Sequence, residues 1–138
     1  MLAEIKELVS FLASDPLTAD QVIKHLGSVT QDHGSNVTIK PRDPEFKEAG
    51  VVREIGQTDL KTSNRPALVS LTPIEPPTLV SLAAKFGPYK KIAAEEKNPA
   101  QVIFYLDQPG KPYTVALIGE VKADRVVRIT LRRDVRLK

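Results

Sequence analysis

The stretch that decides the fold is Leu17-Thr18-Ala19-Asp20-Gln21-Val22-Ile23-Lys24-His25-Leu26-Gly27, whose pattern returns sixty residues later as Pro77-Thr78-Leu79-Val80-Ser81-Leu82-Ala83-Ala84-Lys85-Phe86-Gly87. At the same offset, Asn64-Arg65-Pro66-Ala67-Leu68-Val69-Ser70-Leu71 corresponds to Asp124-Arg125-Val126-Val127-Arg128-Ile129-Thr130-Leu131. A helix start, a helix stop and an amphipathic strand therefore recur in the same order. This register predicts two tandem copies of one unit. The alternative is convergence, because short helices ended by glycine and alternating strands are common local patterns.

The composition indicates a single domain with an aliphatic core. The chain has 138 residues, which is the size of one compact domain, and 41% of them are hydrophobic with no Trp. The absence of Cys excludes disulfides, Cys-ligated metals and thiol nucleophiles. Glu4, Lys6 and Glu7 interrupt any apolar run after Met1, and no stretch approaches the roughly 18 apolar residues of a membrane span. We therefore expect a cytoplasmic protein that does not contact a membrane.

Three helices are predicted from apolar spacing and from capping signals. Residues 2–13 place apolar side chains on one stripe. A second helix begins after Thr18, which forms a capping box with Gln21, and it ends at Gly27, where we expect a left-handed backbone. The corresponding signals in the second copy are Thr78 and Gly87-Pro88.

Strand patterns fill the remainder of each copy. The expected strands are Asn36–Lys40, Ala49–Ile55, Ala67–Thr72, Gln101–Leu106, Tyr113–Val121 and Val126–Val135. Their alternation predicts that Phe104, Leu117, Ile129 and Leu131 are buried. We thus expect an α+β fold in one domain, residues 1–138, with an antiparallel sheet of about six strands and short helices on one face. Its parts are an N-terminal helix in residues 1–16 and two α-β-β-β units in residues 17–76 and 77–138.

The two copies have a family resemblance. Val22 to Gly27 and Leu82 to Gly87, each followed by three predicted strands, resemble the repeat of the β-lactamase inhibitor protein and of the related SmpA/OmlA outer-membrane assembly lipoproteins. The resemblance implies tandem units that form one curved sheet whose free face grips a partner protein. This chain departs from both groups, because it lacks the Cys residues of the inhibitor repeats and the lipidation Cys of the lipoproteins. No individual functional residue is carried over from them.

Signals for catalysis are weak. The chain contains no Gly-x-Ser-x-Gly elbow, no phosphate-binding glycine loop and no His-x-x-x-His or Glu-x-x-His pair. His25 lies near the C-terminal end of a predicted helix, where the helix dipole favours a partly positive imidazole. We therefore expect no enzymatic activity, no catalytic residue, no metal site and no cofactor.

Charge is divided unevenly along the chain. Residues 1–76 carry 8 Lys and Arg against 11 Asp and Glu, a net charge of −3, whereas residues 77–138 carry 12 against 6, a net charge of +6. One interpretation is that the two halves attract each other within one molecule or across a homodimer. The other is that the basic half binds nucleic acid.

The most suggestive surface lies on the predicted strands of the basic half. Arg128 and Arg132, together with Arg136 and Lys138, fall on alternate positions of the last strand, which places them on one face. Such arginines can also simply keep an exposed sheet soluble. The predicted contact residues are Ile103, Tyr105, Ile118, Arg128 and Arg132. The sequence favours a non-enzymatic module that binds an unidentified protein partner through an open sheet face. The alternative is a nucleic-acid-binding module.

Overall fold

The computed structural model describes residues 1–14, 17–55, 62–95, 99–107 and 109–135. Within these ranges the helices are α1 (Leu2–Leu12), α2 (Ala19–Leu26) and α3 (Leu79–Phe86). The strands of the same ranges are β1 (Gly27–Asp32), β2 (Asn36–Pro41), β3 (Phe46–Ile55), β4 (Thr62–Pro73), β5 (Lys90–Ile92), β6 (Ala100–Leu106), β7 (Tyr113–Lys122) and β8 (Arg125–Val135). The expected α+β class is confirmed.

All eight described strands form one antiparallel sheet in the order β1-β2-β3-β4-β8-β7-β6-β5. Each group of four consecutive strands is a meander, and the two meanders meet where β4 pairs with β8. In that pairing Ser70 lies opposite Thr130, its counterpart at the offset of sixty residues. The strand order is therefore symmetric about this pair. That the two halves are copies of one unit stays a prediction.

The expected number of strands was wrong, because the sheet has eight strands rather than about six. The two additional strands are β1 and β5, which form the edges of the sheet. Every side chain of β1 after Gly27 is exposed, and all three of β5 are exposed. Backbone pairing with β2 and β6 holds these two strands in the sheet. Because neither side of them is buried, their sequences need no alternation of apolar and polar residues. Helices α2 and α3 are consequently each followed by four strands rather than three.

The hydrophobic core lies between one face of the sheet and the helices. Phe104, Leu117, Ile129 and Leu131 each have 0% exposure, which confirms their prediction as core residues. The helices contribute the following buried side chains to the same cluster: Ile5, Leu8, Val9 and Leu12 from α1, Ala19, Val22 and Ile23 from α2, and Leu82 from α3. The opposite face of the sheet carries none of these helices.

Local signals at the helix ends are confirmed in part. The Thr18 hydroxyl accepts a hydrogen bond from the Gln21 amide at 3.1 Å, and the Gln21 side chain accepts one from the Thr18 amide at 2.8 Å. Gly87 has a φ of +92°, a conformation that favours glycine. The prediction of a left-handed conformation at Gly27 was wrong, because the φ of Gly27 is 160°, which is extended. A glycine is needed there for space, since a Cβ would overlap the carbonyl oxygen of Lys40.

A buried arginine fixes the C-terminal end of α1 on the sheet. Arg133 of β8 is 6% exposed and points to the helix side. Its Nε donates a hydrogen bond to the Leu12 carbonyl at 2.7 Å, and its Nη2 donates to the Ser14 carbonyl at 2.8 Å. Its guanidinium carbon lies 3.4 Å from the centre of the Tyr113 ring. Arg133 therefore satisfies carbonyls at the helix end that would otherwise lack donors.

Candidate functional site: the open sheet face

We call the side of the sheet opposite the helices the open face. Strand pairing aligns its side chains in rows that run across the strands. One row consists of Thr38, Gly50, Ser70, Thr130, Ile118, Ile103 and Lys90. The next consists of Asn36, Val52, Leu68, Arg132, Ala116 and Tyr105. Consecutive residues of one row are direct cross-strand neighbours, and the Cβ atoms of such a pair lie roughly 4.5–5.5 Å apart.

The five residues predicted for partner contact all lie on this face. Ile103 lies opposite Ile118, and Ala116 lies between Tyr105 and Arg132. These residues occupy adjacent rows of β6, β7 and β8 and form one patch. Arg128 lies on the same face but farther along β8, opposite Glu120. The role of these residues in binding stays a prediction.

A small apolar recess lies beside the most exposed aromatic side chain of this face. Tyr105 is 61% exposed, whereas its neighbour Ala116 is only 1% exposed. The recess has a volume of about 190 Å³. Its lining residues are Tyr105, Leu106, Asp107, Thr114, Val115, Ala116 and Asp134. An exposed ring next to an apolar recess provides both a projecting and a receiving element for a partner.

Charged side chains border this patch on two sides. The Arg132 Nε lies 3.1 Å from Oδ2 of Asp134, and the two side chains are 40% and 42% exposed. On the other side, the Lys90 Nζ lies 5.6 Å from the centre of the Tyr105 ring. The ion pair orients the guanidinium of Arg132 without removing it from solvent. Arg132 therefore keeps hydrogen-bond donors for a partner.

The described charges of the patch and its border balance. The cations are Arg128, Arg132 and Lys90, and the anions are Glu120, Asp134 and Asp107 of the recess, which gives a net charge of 0. Arg136 and Lys138, which the sequence placed on the same strand face, lie outside the described residues. The local charge is therefore much smaller than the +6 of residues 77–138.

Sequence reasoning missed the contribution of the first half to this surface. Val52 and Leu68 share a row with Arg132, because β4 pairs with β8. Val52 is 37% exposed, and Leu68 is partly buried. The alternation of Leu68 with Val69 signalled that Leu68 faces the open side. Only the pairing of strands from the two halves shows that it adjoins the patch.

Other candidate chemistry is sparse in the described part of the chain. No group of three or more His, Asp or Glu side chains is close enough there to hold a metal ion. His25 stacks on Phe11 with 4.9 Å between ring centres. None of the described helices combines the length and apolar character needed to cross a bilayer.

Comparison with known proteins found no match to this chain among family models, curated proteins or solved structures. The resemblance to the β-lactamase inhibitor repeat stays a prediction.

Proposed function

We propose that this chain is a non-enzymatic, cytoplasmic interaction module that binds a partner protein through the open face. The observation that carries the proposal is the exposed Tyr105 ring beside an apolar recess. Across the sheet, one residue, Ala116, separates Tyr105 from Arg132. Tyr and Arg are the residue types that most often dominate the energy of protein interfaces, and they do so beside desolvated pockets.

The composition of the patch further supports a protein partner. Its centre carries Ile103, Ile118 and Ala116, while the charged groups lie at its border. An apolar centre with a polar rim is the usual anatomy of a protein interface. Val52 and Leu68 extend the apolar centre toward the first half of the chain.

The nearly symmetric sheet is the second support. We propose that the two α-β-β-β-β halves are tandem units, as the sixty-residue register predicts, joined at Ser70 and Thr130. The resemblance to tandem inhibitor units, whose sheet grips a partner, agrees with this use of the face. A second copy of this chain is an alternative partner, and light scattering of the purified protein distinguishes a homodimer from a monomer.

Nucleic-acid binding is the second candidate, because residues 77–138 carry a net charge of +6. Against it, the patch and its border have no net charge, and Tyr105 is the one exposed aromatic residue of the open face among the described residues. Binding dominated by phosphates weakens steeply with salt. Titration of salt against binding to duplex DNA and to heparin should therefore show weak affinity, at the level of any mildly basic surface.

Photo-crosslinking from two positions tests the proposed surface. A photoreactive phenylalanine replaces Tyr105 on the open face or Val80 on α3, which is 80% exposed on the helix side. We expect one discrete crosslinked protein from position 105 in the host cell and none of the same mass from position 80. Equal crosslinking from both positions would contradict a face-specific interface.

A further inference from the structure

A larger cavity lies on the helix side of the molecule, away from the open face. It is bounded by α1, the end of α2 and the turn between β2 and β3, and its volume is about 580 Å³. The apolar residues that line it are Ile5, Leu8, Leu26, Pro41, Pro44, Phe46 and Leu71, of which Leu26, Pro41 and Pro44 are accessible and the others are buried. Cavities of roughly 300–1,000 Å³ with mainly apolar walls are typical of small-molecule sites.

The remaining lining residues give this cavity an acidic rim. Its carboxylates are those of Glu4, Glu7, Asp43 and Glu45, and its cations are the Arg42 guanidinium and the adjacent Met1 ammonium. These four negative charges against two positive charges leave a net charge of −2. Part of the donor capacity of Arg42 is already used, because its Nη2 donates to the Lys24 carbonyl at 3.1 Å.

The rim already binds a primary ammonium in this structure. The Met1 nitrogen lies 2.7 Å from Oε2 of Glu4 and 2.9 Å from Oε2 of Glu45. Both carboxylates are about half exposed, with 52% and 48% of the side chain accessible. Glu7 forms no ion pair within 4.0 Å among the described residues, so its carboxylate is available to a second ammonium.

We propose that this cavity binds a small amphipathic amine, with its ammonium at the carboxylate rim and its apolar body against the accessible side chains of Leu26, Pro41 and Pro44. The two halves of the ligand match the two halves of the site. Burial of the apolar body supplies affinity, because each methylene removed from water adds to it. The carboxylates supply discrimination, since an anionic head group meets like charge there. This site is separate from the open face and does not depend on the proposed partner.

Titration of the full chain with octylammonium, followed by amide chemical shifts, tests the proposal. We expect saturable shifts at residues that line the cavity, such as Leu8, Leu26 and Phe46, and none on the open face. Octanoate, which has the same chain and the opposite charge, should not saturate over the same range. Shortening the amine should weaken binding by about three- to fourfold for each methylene removed.

A matched pair of variants tests the rim. Glu7→Gln removes one rim charge from the exposed side of α1, and it should weaken octylammonium binding by about two- to fivefold. Glu48→Gln removes an exposed charge from β3 outside the cavity, and it should leave the affinity unchanged. Blocking the Met1 amine by acetylation should tighten binding, because it frees Glu4 and Glu45. The proposal would be overturned if octanoate bound as tightly as octylammonium, or if the chemical shift changes were confined to other surfaces. It would also be overturned if Glu7→Gln and Glu48→Gln bound octylammonium with the same affinity.

Discussion

Tyr105 of β6 and Arg132 of β8 lie in one row of the open face, separated by Ala116 of β7. This relationship places an exposed ring and a half-exposed guanidinium within reach of one ligand surface, while Ala116 is almost completely buried between them. The pair is held by strands whose opposite sides form the core, including Phe104, Leu117 and Leu131. A rigid support of this kind lowers the entropic cost of ordering the surface on binding.

Burial of Leu131 predicts a large cost for its truncation. Leu131→Ala removes a side chain with 0% exposure from the strand that joins the two meanders. We expect a loss of about 2–5 kcal/mol in the free energy of unfolding, measured by urea denaturation. Arg128→Ala, an exposed change on the same strand, should alter it by about 0.5 kcal/mol or less. A loss of only a few tenths for Leu131→Ala would mean that the assignment of strand faces is inverted.

The hydrogen bonds of Arg133 predict a second destabilising change. Arg133→Met keeps an apolar stem but removes the donors to Leu12 and Ser14. We expect a loss of about 2 kcal/mol or more, together with faster amide exchange in the last turn of α1. The neighbouring variant Arg132→Met, on the other face, should change stability by about 0.5 kcal/mol or less. Equal stabilities of the two variants would show that Arg133 does not anchor the helix.

Much of this architecture follows from local sequence signals. Thr18 and Gln21 specify a helix start through hydrogen bonds between residues three apart, and alternation specified which side of β6, β7 and β8 is buried. The edge strands β1 and β5 were missed because their side chains are exposed on both faces. The sequence prediction of the patch lacked Leu68 for a related reason. The pairing of Leu68 with Arg132 joins residues 64 positions apart, and it depends on the arrangement of the whole sheet.

The ion pairs of Met1 predict a pH-dependent contact at the edge of the cavity. Hydrogen bonds to Glu4 and Glu45 raise the pKa of the Met1 amine above its ordinary value of 8.0, and the amine in turn lowers the pKa of Glu4 below 4.5. The stability that comes from the raised pKa of the Met1 amine is fully present below pH 8.0, and it is lost as the pH rises through the pKa of the amine in the folded protein. The stability that comes from the lowered pKa of Glu4 is present above pH 4.5, and it is lost as the pH falls through the pKa of Glu4 in the folded protein.

An NMR titration of the Met1 side-chain resonances measures the pKa of the amine directly. Glu45→Gln should move that pKa back toward 8.0, because one of the two carboxylates that stabilise the ammonium is lost. Glu48→Gln should leave it unchanged, since Glu48 makes no ion pair with Met1. An amine that titrates at the same pH in the wild type and in Glu45→Gln would contradict the observed contact.

The affinity of the open face for its partner protein is the most direct test of the proposed function. The double variant Tyr105→Ala with Arg132→Ala is compared with Val80→Ala on α3, and all three positions are accessible. The partner identified by crosslinking from position 105 is purified, and its Kd for each variant is measured by calorimetry. The account predicts that the open-face variant binds about 30-fold more weakly, with an almost unchanged melting temperature, whereas the α3 variant binds like the wild type. Full retention of affinity by a well-folded open-face variant would contradict it.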